Sequence, residues 1–118
     1  KKTLGSEWRQ YEESFPKLQQ SNIDIISLEC HNSHVPIDLL ELVRGKKVMV
    51  GAIDVASDKV ETPEEVANTL RKALQFVDAD KLYPCTNCGM APLSRAIAKG
   101  KLLALSEGAE IVRKELLG

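Results

Sequence analysis

The strongest constraint on this chain is an alternation. Short apolar runs that read as strands are separated each time by a stretch with helical periodicity. "IDIISLE" (Ile23 to Glu29), "KVMVGAID" (Lys47 to Asp54) and "KLYPC" (from Lys81) are the strand candidates. They are short, and the first two are rich in β-branched residues, which suits buried strands. Pro84 restricts the ladder bonds available to the third. Helical patterns flank them: Glu7 to Gln20, interrupted near its end by Pro16, and Pro36 to Val43, stopped by Gly45. The third helix is the clearest. Thr62 caps it, Pro63 suits its first position, Glu65 completes a Thr-x-x-Glu capping box, and Val66, Leu70, Ala73 and Val77 fall on one face. A last helix is expected from Ser94 to Leu117, with Ile97, Leu105, Ala109, Val112 and Leu116 near one stripe and Gly100 and Gly108 weakening it.

The order α-β-α-β-α-β-α implies parallel strands joined by right-handed crossovers. Three such strands make a thin sheet with two open edges, so the expectation is part of a larger α/β sheet or barrel, in one domain spanning residues 1–118. A net charge of -1, from 16 basic and 17 acidic residues, leaves no electrostatic footprint for nucleic acid or an anionic membrane. No apolar run approaches the ~20 residues of a bilayer crossing. Three cysteines, an odd count, are too few for a secreted disulfide framework, so a reducing, cytoplasmic setting is expected. The opening "KKTLGSEW" lacks an initiator methionine and reads as the start of a processed or cut piece.

In parallel α/β folds chemistry gathers at the carboxyl ends of the strands. Those ends here are "SLECHNSH", "GAIDVAS" and "PCTNCGM", and they carry Glu29, Cys30, His31, His34, Asp54, Ser57, Cys85 and Cys88. Every cysteine and histidine of the chain lies in just two of them. Zinc accounts for this clustering, because it takes thiolate, imidazole and carboxylate ligands. Cys85 and Cys88 also allow two plainer readings: a pair of small buried residues, or a thioredoxin-like redox pair. The redox reading wants further strands after the motif, and only one helix follows it. A closed zinc ribbon would want a second Cys-x-x-Cys, which is absent. His34 reads as a loop histidine. Asp54 could orient a ligand or cap the next turn.

The stretches "YEESFPKLQQSNIDIISLE", "VGAIDV" followed by "VETPEEV", and "LYPCTNCGMAPLSRAIAKGKL" resemble the C-terminal barrel of cobalamin-independent methionine synthases and their short relatives. The resemblance covers nearly the whole chain, and "NCG" is its most specific piece. It implies the last three β/α units of a TIM (β/α)₈ barrel, a fold of eight strands and ~250 residues. It also implies a catalytic zinc that activates the thiol of homocysteine to take a methyl group from a folate or corrinoid carrier. By position the family's zinc-binding glutamate falls on Glu29 and its last zinc-binding cysteine on Cys88, with Cys85 a neighbour outside the ligand set. Asp54 is the candidate substrate-binding residue.

Two departures stand out. The family's His-x-Cys ligands would precede residue 1, and Ala56 stands where the classical enzymes have a proton-donating histidine. The chain is therefore expected to hold half a zinc site and to be inactive alone, unless His31 or Cys85 substitutes for the missing ligands. A related zinc-dependent activity, transfer of a thiol carrier to an epoxide, fits the same residues. So does a non-catalytic half-barrel that binds metal or assembles with a partner. Its open edge is expected to drive association, as a homodimer or with the missing N-terminal part.

Overall fold

In the computed structural model, which describes residues 9–118, three strands form one parallel sheet in the order β1-β2-β3. They are β1 (Ile25–Glu29), β2 (Lys47–Ile53) and β3 (Leu82–Thr86). Register runs in rows across the sheet. Ile26 faces Val48 and Val48 faces Leu82; Ser27, Met49 and Tyr83 form the next row; Glu29, Gly51 and Cys85 form the row at the carboxyl edge. The helices are α1 (Phe15–Gln20), α2 (Pro63–Ala73) and α3 (Arg95–Leu117), with 3₁₀ helices at Arg9–Glu12, Ile37–Val43 and Ala79–Lys81. No helix among the described residues is long and apolar enough to cross a membrane.

The parallel pairing expected from the alternation is present, and the differences are local. Of the first helical expectation, residues 7 and 8 lie outside the described residues. The remainder divides into a 3₁₀ turn and α1, and Pro16 opens α1 rather than ending a longer helix. That is where its missing N–H costs nothing. The strand expected from Ile23 begins at Ile25, and the third runs two residues beyond Pro84 to Thr86. The segment after Pro36 is a 3₁₀ helix. Ile37, Leu40 and Val43, spaced by three, stack on its period, and the last two are buried. Arg44 follows, and then Gly45 at φ 101°, a left-handed turn toward β2 that favours glycine. The caps behave as their residues predict: Thr62 Oγ1 accepts from Glu65 N at 3.1 Å, and Ser94 Oγ from Ile97 N at 3.2 Å.

Among the described residues the sheet is covered on one side only. Ile26, Val48, Val50 and Ala52 are buried together with Val66, Ala67, Leu70, Ala73 and Val77 of α2 and its extension. On the opposite face Ile25 is 49% exposed, Met49 37% and Tyr83 42%. Parallel sheets bury both faces as a rule, so this face is shaped for cover that the described residues do not supply.

The buried stripe of α3 is displaced from the expected one. Lys101, Ala104, Gly108 and Val112 are buried, whereas Leu116 is 56% exposed. Gly108 is the point where α3 meets α2. A Cβ there would lie 2.5 Å from Val66 Cβ and 2.8 Å from the Pro63 carbonyl oxygen. Backbone cannot yield cheaply, so the helices would have to part. Gly108→Ala is therefore expected to destabilise the fold by about 1–3 kcal/mol despite alanine's better helix propensity. Urea unfolding checks this, and an unchanged or higher midpoint would contradict the crossing.

Candidate metal and substrate site

The carboxyl edge of the sheet collects the three strand ends. Glu29 ends β1 with an exposed side chain, on the same face as Cys85 of β3. Gly51 lies between them, so the two Cα atoms are separated by two strand spacings, roughly 10 Å. Above Gly51 sits Asn87. Its backbone N–H donates to Ile53 O at 2.9 Å, and its side-chain Nδ2 donates to His31 O at 2.8 Å. A Cβ on Gly51 would lie 2.3 Å from Asn87 Oδ1, so only glycine leaves room for this residue. Asn87 thereby ties the turn carrying Cys88 to β2 and to the loop after Glu29. Thr86 Oγ1 closes the turn by donating to Cys88 O at 2.8 Å. Asn87 Oδ1 is buried without a hydrogen-bond partner.

The three thiols differ in their surroundings. Cys88 is exposed, and Cys30 and Cys85 are partly buried. Burial pushes the Cys30 thiol up to about 12, nearby Cys85 adds to the effect, and a hydrogen bond with the Gly51 backbone opposes it. Cys30 Sγ also donates to Leu28 O at 3.5 Å, a bond that needs the proton. Burial raises Cys85 as well, against a hydrogen bond with Ser27. A thiol held in its protonated form is a poor nucleophile and a poor metal ligand.

Asp54 lies just past β2, with both carboxylate oxygens engaged. Oδ1 accepts from Ala56 N at 2.9 Å and Oδ2 from Asn32 Nδ2 at 3.3 Å. Asn32 is in the left-handed region at φ 53°, which Asn tolerates better than most side chains. His31 turns away from the sheet edge, with Nδ1 3.5 Å from Thr69 Oγ1 and Nε2 3.8 Å from Glu61 Oε2. Ser57 Oγ accepts from Lys59 N at 3.1 Å and shapes the same loop. His34 lines a recess of about 390 Å³ beside Glu29, together with Tyr11, Phe15 and Ser27.

Among the described residues no three His, Cys, Asp or Glu side chains converge closely enough to hold a metal ion. Glu29 and Cys88 stand at one sheet edge, whereas the His31 ring lies against Thr69 and Glu61. Sequence reasoning passed over Glu61, Asn87 and Lys101. The signal for Lys101 was available, since a lysine four residues from both Ile97 and Leu105 lies on the apolar stripe.

Comparison with known proteins bears on this edge. A family model described as "Cobalamin-independent synthase, Catalytic domain" matches residues 8–110. A 2-hydroxypropyl-CoM lyase of Xanthobacter autotrophicus is 39% identical over 108 residues, covering 86% of this chain and 29% of that protein. A methionine synthase of Saccharolobus solfataricus is 38% identical over 104 residues, covering 86% of this chain and 31% of that protein. The solved structure of a B12-independent methionine synthase from Shewanella sp. W3-18-1, in complex with selenomethionine, superposes with a TM-score of 0.94. It is 83% identical and covers 98% of this chain and 34% of that one. This chain thus spans about a third of the length of these proteins, and its parallel β/α units are those of a TIM-barrel enzyme.

Thiol reactivity follows from the local environments. With its pKa raised to about 12, Cys30 is ionised at pH 8 to roughly one part in 10⁴, so alkylation by iodoacetamide should be slow. Its rate should climb about tenfold per unit between about pH 7 and 10, as the thiolate fraction grows. Mass spectrometry of the labelled native chain checks this. Labelling of Cys30 at the rate of a free thiol near neutrality would contradict it.

Proposed function

Since the chain belongs to the family of the cobalamin-independent synthase catalytic domain, we propose that it works as the C-terminal part of a zinc-dependent methyltransferase. In this reading the enzyme moves a methyl group from a folate or corrinoid carrier to the thiol of homocysteine. The observation that carries the reading is the sheet edge itself. Glu29 ends β1, and Asn87 ties the turn that carries Cys88 to the loop that follows Glu29. Glu29 and Cys88 are the two donors this segment would contribute to zinc, with the rest supplied by the preceding part of the barrel. Zinc in such a shell lowers the pKa of a bound thiol and makes sulfur nucleophilic near neutral pH.

The chain's own residues have distinct parts in this scheme. Cys88 is preferred to Cys85 as ligand because it is exposed, whereas burial holds Cys85 toward its neutral form. Asp54, held by Ala56 N–H and Asn32, presents a fixed carboxylate that orients the substrate. Ala56 brings no acid to the reaction, so the proton for the departing carrier comes from another group. The open face around Ile25, Met49 and Tyr83 would be the barrel interior, covered by the remaining β/α units. In the isolated chain it favours self-association. Three free thiols suit the reducing cytoplasm.

Transfer of a thiol carrier to an epoxide would use the same thiol chemistry. The much higher identity to the Shewanella protein favours methyl transfer. In the whole-barrel protein, Cys88→Ser is expected to abolish zinc binding and methyl transfer to homocysteine, because a hydroxyl replaces a thiolate in a shell of about four donors. Cys85→Ser should keep most of both. Elemental analysis alongside a methionine-formation assay checks this, and zinc that survives Cys88→Ser but not Cys85→Ser would show the wrong thiol assigned.

A further inference from the structure

Lys101 is fully buried, and its three ammonium hydrogens are all used. Nζ donates to Asp54 O at 2.8 Å, to Lys59 O at 2.6 Å and to Glu61 Oε1 at 3.0 Å. Glu61, also buried, accepts from Asp54 N with its other oxygen at 2.9 Å. One ion pair therefore holds both backbone polar groups of Asp54: the carbonyl through Lys101 and the N–H through Glu61. The same carboxylate faces His31 Nε2 at 3.8 Å, next to Asn32, whose side chain donates to the Asp54 carboxylate.

A buried ion pair is a poor way to gain stability. Desolvating both charges offsets much of their attraction, and apolar side chains of similar volume often serve as well or better. What the pair does supply here is geometry. It joins α3 to the end of β2, closes residues 54–61 into a fixed loop, and reaches the loop that follows Glu29. We infer that Lys101 and Glu61 are positioning residues that clamp Asp54, and through it the substrate-facing loops after β1 and β2. The inference rests on the proposed function only for the identity of the substrate.

The test uses the whole-barrel protein with Lys101→Met and Glu61→Leu combined, since either change alone would strand a buried charge. Amide hydrogen exchange at Asp54 and Ala56 is expected to quicken by about tenfold or more, while the amides of β2 keep their protection. The KM for the thiol substrate should rise about tenfold, with a smaller change in kcat. Adding Asp54→Asn to the swap should cost little more, because residues acting as one unit give losses that do not multiply. A merely structural pair would shift the melting temperature and leave that coupling absent. Unchanged exchange, or losses that multiply, would overturn the inference. Should the swap fail to fold, Lys101→Met with Glu61→Gln removes both charges while keeping the shape at position 61, and is read by the same measurements. If the wild-type protein alkylates no thiol, the proposed function fails, and the exchange rates alone decide the clamp.

Discussion

The register that sets Glu29 against Gly51 and Gly51 against Cys85 is what the rest of the structure depends on. Parallel strands must all end at the same edge, because each is reached by a crossover that returns the chain to the opposite side. A carboxylate, a carboxylate-bearing loop and a Cys-containing turn from three distant parts of the chain are thereby delivered to one line. Within that line the absent side chain of Gly51 decides the arrangement. It admits Asn87, and Asn87 holds the Cys88 turn against the loop after Glu29. A slip of one residue in β2 would put a valine or an alanine in that place and break the anchor.

Energetically the two faces of the sheet are unlike. The helix-facing side is an ordinary core of valine, isoleucine, leucine and alanine, closed by the tight approach of α3 to α2 at Gly108. The other side presents Ile25, Met49 and Tyr83 to solvent. Apolar area left in water forgoes about 25 cal/mol per Å². In the proposed reading, completion of the barrel recovers that energy and brings further zinc donors to Glu29. Stability and the proposed chemistry would then be met by the same cover, while the Lys101–Glu61 pair orders loops within the described segment.

Much of this was legible in the sequence because it rests on local signals. The capping box at Thr62 and the alternation of β-branched runs with helical periods depend on near neighbours, and the structure follows them. That Glu29, Asp54 and Cys88 stand at or just past strand ends was readable for the same reason, once parallel topology was accepted, whereas the choice of Glu29 and Cys88 as zinc donors came from the family resemblance alone. Position 101 was legible only in part. Its place on the apolar stripe could be read from Ile97 and Leu105, but what compensates its buried charge, Glu61 and two carbonyls about 40 residues away, could not. Asn87 escaped likewise, since its role depends on a glycine in another strand. Gly108 looked like a weakness of α3, whereas it is the contact point with α2, which only tertiary packing reveals.

In the proposed function these strand ends form part of a zinc shell that the rest of the barrel completes. The most direct measurement is complementation: the 118-residue chain is combined with the preceding β/α units, and zinc is counted in each part and in the assembled barrel. Little zinc is expected in either part alone, and about one ion per assembled barrel. Stoichiometric zinc held by the 118-residue chain alone would contradict it.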